Sequence, residues 1–286
     1  MAILTIARLT FREASRRRLL LTVAILTVVM VVATTWGFSR LDTLTCGRDR
    51  QACPPEEIKL VTAQLLILVA YMFNVVLALG AVFVSATAIS GEVDSGIALA
   101  MLPRPIRRSD LVLGKWLALV VLVSAYAAVT AALEFIGVDL VAGYLPPHPV
   151  IAVFFLAGQS VILLTLALLG STRLAPMTTG VIAVVLFGLA WLGGIAEAIG
   201  LAFNNATIAA VGTAMGLIVP TDGLWRGVIF NLEPVAVVTL STSSRGFAAN
   251  PFNVGAPPPP AYIIWAVAWV AVILGLTMWS FAKRDL

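Results

Sequence analysis

The sequence has little charge. Only 11% of its 286 residues are Asp, Glu, Lys or Arg, where a soluble domain carries about 25%. Hydrophobic residues make up 60% of the chain and the mean hydropathy is +1.04. A soluble core cannot absorb that much apolar surface, so much of it is expected to face lipid. Catalytic motifs are also missing. The single histidine, His148 in YLPPHPV, reads as a loop residue, and there is no HExxH, GxSxG or Cys/His cluster. Metalloprotease and serine-hydrolase chemistry are therefore unsupported. A phosphate-binding P-loop requires GxxxxGK[ST]. The only Gly-Lys pair is Gly114–Lys115, with Ser109 where the first glycine belongs and Trp116 where the hydroxyl belongs. The chain is not expected to be an enzyme, to bind ATP in that way or to hold a metal.

The formal charge of +4 and pI of 9.4 have a membrane explanation, basic residues gathered on the cytoplasmic side. No basic-aromatic groove pattern points to nucleic acid. Only two cysteines occur, Cys46 and Cys53 in CGRDRQAC. Their spacing fits no zinc or redox motif. In a loop outside the cytoplasm they are candidates for a disulfide, and otherwise they are two free thiols.

Six stretches are long and apolar enough to cross a bilayer as helices: about 19–38, 60–89, 116–138, 150–169, 177–199 and 262–281. The second exceeds the length needed, so it tilts or projects. With the N-terminus inside, twelve basic residues fall on the cytoplasmic side: Arg8, Arg12, Arg16, Arg17, Arg18, Arg104, Arg107, Arg108, Lys115, Arg173, Lys283 and Arg284. Six fall outside: Arg40, Arg48, Arg50, Lys59, Arg226 and Arg245. The positive-inside rule then places both termini in the cytoplasm. The N-terminal apolar run is longer than a signal-peptide core and no clear A-x-A site follows it, so a retained helix is expected. Ahead of it, Ile3, Ile6, Ala7, Thr10 and Ala14 share one helical face and Arg8, Arg12 and Arg16 lie opposite. That pattern suits a helix lying in the cytoplasmic interface, or an unstructured positive flank.

The segment 200–261 is expected outside, with two short apolar pieces, ATIAAVGTAMGLIVP and VAVVTL, that dip into the membrane or pack on its surface. STSSRGFAANPFNVGAPPPP then reads as an irregular loop ending in a stiff proline run. Four polar residues near or within spans are candidates for a substrate path: Asn74, Glu134, Gln159 and Glu197. Intramembrane acids are costly and therefore functional candidates. Glu134 and Glu197 can also reach the outer interface, and Asn74 and Gln159 can serve helix packing.

The most informative stretch is SGEVDSGIALAMLPRPIRRSDLVLGK, Ser90 to Lys115. Glu92 and Asp94 precede Gly96 and an apolar IALAML run. Negative charge at a helix N-terminus followed by a turn or two of apolar residues fits a short amphipathic helix, and Pro103 and Pro105 stop it. Such a helix would be a rigid knob between two spans; the alternative is a polar loop whose arginines anchor to phosphates. The segment resembles the cytoplasmic connection after the second span in ABC-2 type permeases, the membrane subunits of ABC transporters. Their pattern is roughly E-x-E-x-G-T, an apolar run, R-P-x-x-R and L-G-K. Glu92, Asp94, Gly96, Leu99, Leu102, Arg104, Pro105, Arg108, Leu113, Gly114 and Lys115 carry it here. Asp94 departs from the usual Glu and Ile97 from the usual Thr. Leu217–Pro234, LIVPTDGLWRGVIFNLEP, also resembles a stretch in some bacterial members.

The resemblance implies an all-α membrane protein in a bacterial or archaeal inner membrane. It would have six spans, an interfacial N-terminal helix and a short coupling helix between spans 2 and 3. It further implies a homodimer or heterodimer of such permeases above two separate ATPase subunits. ATP and Mg would sit in those partners, and Glu92–Leu102 would seat in an ATPase cleft to drive transport, with export the expected direction. An ion-coupled secondary transporter would instead show broken helices and mid-membrane charge. A non-transporting membrane scaffold is the third reading.

Overall fold

The computed structural model describes residues 2–15, 18–41, 45–46, 51–94, 107–243 and 254–284. These residues form ten helices and one small hairpin. α1 (Ala2–Ser15) precedes α2 (Arg18–Phe38), and the hairpin pairs β1 (Thr45–Cys46) with β2 (Gln51–Ala52). Then come α3 (Pro55–Asp94), α4 (Arg108–Ala142), α5 (Pro149–Ser171) and α6 (Pro176–Ala202). α7 (Ala206–Ile218), α8 (Asp222–Leu232), α9 (Val235–Ser243) and α10 (Pro260–Ala282) complete the chain. The fold is all-α and multi-pass. Five helices, α3, α4, α5, α6 and α10, are long and apolar enough to cross a membrane. α2 covers the first expected span with 21 residues.

Backbone punctuation sets the helix ends. Pro149, Pro176 and Pro260 each open a helix, where a missing N–H costs nothing. α4 ends at Gly143, whose φ of 62° only glycine adopts readily. α3 and α4 meet no such break near the bilayer boundary and run past it. Their 40 and 35 residues span about 60 and 52 Å, against a hydrocarbon core of about 30 Å. The expected spans 60–89 and 116–138 are thus the middles of longer helices.

α5 is the central pillar, packed against α3, α4, α6, α8 and α10. Ile162, Leu163, Leu164 and Leu168 are fully enclosed there. α3 and α4 hold one side of it, with Leu66, Ile67 and Leu119 buried between them. α2 leans on α4 through polar contacts: the Thr27 and Tyr126 hydroxyls meet, and Thr34 donates to Glu134 at 3.0 Å. Its other face, including Ile25, Val29 and Val32, is exposed, as a lipid-facing helix requires.

The segment after α6 turns back on itself. α7 runs alongside α6 in intimate contact, because glycines let the backbones meet. A Cβ on Gly212 would collide with the Glu197 backbone, and one on Gly200 with that of Ala209. Asn205 starts α7 by accepting the Thr207 and Ile208 N–H groups. At Val219–Thr221 the chain bends by 97° into α8, which packs against α5. The two short helices together are apolar enough to count as one broken span.

A break in apolar surroundings strands the last carbonyls of α7. Three side chains of α10 accept that task. Tyr262 donates to Gly216 O at 3.3 Å, Trp265 to Leu217 O at 3.1 Å and Trp269 to Ile218 O at 2.8 Å. Spacings of three and four residues put these donors on one helical face. The Tyr262 hydroxyl also accepts the Gly223 N–H at 3.1 Å, so one oxygen ties the end of α7 to the start of α8. Tyr262→Phe removes both bonds and is expected to cost about 2–4 kcal/mol. Val267→Ala, on the exposed face of α10, should cost less than about 1 kcal/mol. Thermal unfolding of the two variants in detergent, against the parent chain, checks the difference.

Candidate functional site

Two regions at opposite ends of the bundle concentrate polar groups. The first is the end that carries α1 and the C-terminus, here the terminal face. Lys115 is buried and donates to Ala88 O near the end of α3. Gly114 is the seat of α1: a Cβ there would press on Ile6 and on the Ile3 carbonyl. Arg108 Nη1 donates to the carbonyls of Phe281, Ala282 and Arg284 at 3.3, 3.2 and 2.6 Å, capping α10 where its dipole is negative. Arg173 donates to Ser280 Oγ and O, both at 3.2 Å, and Arg284 to Thr172 O at 2.7 Å. The flanks of the 95–106 segment are therefore locked to α1, α3, α4 and α10.

Of the residues expected to dock an ATPase, Arg108, Gly114 and Lys115 make these internal contacts. Glu92 and Asp94 lie on the last turn of α3. The acids expected to open a short coupling helix thus end a long one instead, because α3 runs on without a break to Asp94; Gly96, Leu99, Leu102, Arg104 and Pro105, with the rest of that expected helix, fall outside the described residues.

The second region is the opposite, far face. α6, α7, α8, the 254–259 segment and the start of α10 enclose a cavity of about 490 Å³. Its floor is a charged network. Arg226 Nε donates to Asp222 Oδ2 at 2.9 Å, and Nη2 to Glu197 Oε2 at 2.6 Å and Gly194 O at 3.1 Å. Thr213 donates to Glu197 Oε1 at 2.8 Å. Asp222 packs directly on Gly194, where any side chain would displace it. Gly194 sits eight residues before the end of α6, about 12 Å below it. Asp222 and Arg226, expected in an outside loop, thus lie against the wall of a spanning helix.

The expected path residues do not converge. Glu197 alone lines this cavity. Glu134 borders a small separate void of about 30 Å³ between α3, α4, α5 and α8. Asn74 and Gln159 are buried in the packed bundle. Their Oδ1 and Oε1 atoms have no hydrogen-bond partner among the described residues. His148 is exposed in the α4–α5 connection, its N–H bonded to Asn231 O at 3.3 Å. Sequence reading missed Asp222, Arg226 and Tyr262 as site residues. The D-x-x-x-R spacing of Asp222 and Arg226 and the one-face placement of Tyr262, Trp265 and Trp269 were the available signals. Beyond the cavity, Cys53 is disulfide-bonded, and the chain's only other cysteine is Cys46, on the facing strand of the hairpin. No group of three or more His, Cys, Asp or Glu among the described residues could hold a metal ion.

Just beyond α8, Glu233 is almost completely buried and accepts the Val254 N–H with both oxygens at 3.2 Å. It thereby pins the 254–259 wall of the cavity. Nearby, Tyr144 donates to Leu232 O at 2.6 Å, and burial together with the Glu233 charge raises its pKa. Burial pushes Glu233 up to about 8, against the pull of the Val254 hydrogen bond.

The chain matches the family model described as ABC-2 family transporter protein over residues 4–286. It belongs to that family and is a membrane permease subunit. No curated protein matches it significantly.

The raised pKa of Glu233 has a consequence for stability. The folded state holds its proton more tightly than the unfolded state, so the protonated group's contribution is full below about pH 4.5 and is lost as pH rises through about 8. Glu233→Gln removes the cost of a buried carboxylate and is expected to raise the melting temperature by a few degrees at pH 9. It should change little at pH 5. Melting curves of parent and variant across that range check the sign.

Proposed function

We infer that this chain is the membrane half of an ATP-driven exporter, working as a dimer on ATPase subunits bound at its terminal face. The observation that carries the reading is the locking of both flanks of the 95–106 segment. Lys115 ties α4 to α3, Gly114 seats α1, and Arg108 caps α10. A load applied to a knob at that segment reaches four helices at once. α3 and α4 are also the longest helices, long enough to present it beyond the lipid. The terminal face is assigned to the cytoplasm, in keeping with its share of basic residues and with a disulfide-bonded Cys53 near the far face.

On this reading Glu92–Leu102, from the last turn of α3 onward, is the coupling segment, with Arg104, Pro105 and Arg108 behind it. α1 lies in the cytoplasmic interface: Ile6 and Ala7 face inward, while Leu4, Leu9 and Phe11 are exposed beside Arg8. α2 is the sixth span. α10 links the two ends, since its start holds the α7–α8 break and its last carbonyls are held by Arg108. Movement at the terminal face therefore has a continuous packed path to the far cavity.

One observation favours a second reading. A broken helix pair carrying Asp222 and Arg226 against Glu197 has the form expected of an ion-coupled secondary transporter. That reading predicts gradient-driven uptake or efflux in proteoliposomes holding this chain alone, without ATP.

The coupling assignment is tested by a double substitution, Glu92→Lys with Gly96→Pro, in the chain expressed in its native host and purified with whatever P-loop ATPase subunit the parent chain brings down. The variant is expected to insert and purify normally, yet to lose the ATPase subunit and its ATP turnover. A variant complex that assembles and hydrolyses ATP like the parent shows that the segment is not the docking knob.

A further inference from the structure

Glu134 is an acid sealed between helices without a counter-ion. It stands on α4, eight residues before the helix ends. Its Oε1 is enclosed by protein, out of reach of water-sized atoms, and has no hydrogen-bond partner among the described residues. Its Oε2 meets the Thr34 hydroxyl of α2 at 3.0 Å. The void that Glu134 borders is otherwise lined by apolar side chains and Thr130, whose hydroxyl donates to the Tyr126 carbonyl of its own helix at 2.7 Å. No Lys, Arg or His lines it. At this end of the surrounding helices the charged groups are engaged elsewhere or exposed. Lys59 pairs with Glu56, Arg226 with Asp222 and Glu197, and Arg40 lies over the Trp36 ring. Glu233 holds the Val254 N–H, while Glu57, Asp139 and His148 are exposed. A carboxylate with one oxygen unpartnered and no cation beside it is costly enough that the group takes up a proton instead.

Hydrogen-bond accounting reaches the same answer independently. Thr34 Oγ1 lies 2.9 Å from Met30 O, 3.0 Å from Val31 O and 3.0 Å from Glu134 Oε2. A hydroxyl has one proton to give. An ionised Glu134 would take that proton away from the α2 carbonyls. A protonated Glu134 donates its own proton to Thr34 Oγ1, and Thr34 donates back to its helix, so both contacts are made.

The contact lies within the seam that holds α2. The Thr27 and Tyr126 hydroxyls meet on one side of it, and Thr35 lies against Gly137 on the other. α4 is the main packing partner of α2. We propose that Glu134 is a proton-binding latch: held neutral in this conformation, it donates to Thr34 and keeps α2 on α4, and its ionisation releases α2. On ionisation the Glu134 O–H bond breaks and the proton passes to water. The carboxylate left behind then needs donors that the closed seam lacks, so α2 must move to admit them. The latch depends on neither the ATPase nor a second copy, so it and the coupling assignment fail separately.

The test is infrared spectroscopy of the full chain in maltoside micelles, a detergent without a carbonyl of its own. At neutral pH the parent is expected to show one protonated-carboxyl C=O band that Glu134→Gln lacks. Other buried acids cancel in that difference. Thr34→Val removes the acceptor and should shift the band to higher frequency without abolishing it. For the release of α2, a Cβ on Gly137 would stand 3.7 Å from the Thr35 Cβ, within disulfide range. Thr35→Cys with Gly137→Cys is therefore expected to crosslink under mild oxidant. Raising the pH until the Glu134 band disappears should lower that yield several-fold, and should not do so when Glu134→Gln is added. Thiols oxidise faster as pH rises, so a fall cannot come from the cysteines themselves. A difference spectrum without the band overturns the proposal, as does a band that persists until the protein unfolds. A yield that falls no further than in Glu134→Gln also overturns it. The Thr34→Val spectrum decides the protonation state even if Glu134→Gln or the cysteine pair fails to fold.

Discussion

A backbone polar group in apolar surroundings has to find a partner within the protein, and that constraint organises the far half of this molecule. An unbroken helix meets it by itself. The α7–α8 pair does not, because the chain bends by 97° between the two helices. The bend is tolerable because α10 supplies Tyr262, Trp265 and Trp269 to the stranded carbonyls of Gly216, Leu217 and Ile218. Tyr262 adds the Gly223 N–H to that set. Without this seam neither the charged floor nor the cavity above it would have a defined shape.

The same helix carries the constraint to the other end. The last carbonyls of α10 are met by Arg108, at the first turn of α4, and Arg173 holds Ser280. Basic residues that a hydropathy plot reads as simple topology markers thus have a second task, as caps for a neighbouring helix. Lys115 instead donates to a carbonyl within α3, that of Ala88, six residues before the helix ends. The terminal face is held together by cations on carbonyls, with Arg108, Lys115, Arg173 and Arg284 each donating to at least one.

Legibility in the sequence followed the range of the physics. The apolar runs were readable because a span must be long and nearly uncharged, and the helices fall where those runs do. Their excess length in α3 and α4 was not, since nothing in a hydropathy window marks where a helix stops once it leaves lipid. The Gly114–Lys115 pair was recognised as part of a motif. Its structural use, a seat for Ile6 and a donor to Ala88 O, required knowing which helices lie side by side. Glu197 was singled out as a costly acid, correctly placed near the end of its helix. Its partners Asp222 and Arg226 are more than twenty residues away and looked like loop charges. Asn74, Gln159 and Glu134 looked equally suitable and line no shared cavity with it.

The sequence by itself determined that the chain is a helical membrane protein, that its basic residues cluster at one end, and that it carries an ABC-2 signature between the second and third spans. Those properties depend on composition, on runs of about twenty residues and on local spacing, all of which survive in one dimension. Only the tertiary structure decided that α7 folds back along α6, that three α10 side chains cover its exposed carbonyls and that Arg226 reaches Glu197. The α10 and Arg226 contacts join residues 29 to 51 positions apart, and the glycines that permit the close approach of α6 and α7, Gly200 and Gly212, have no meaning until those two helices are side by side.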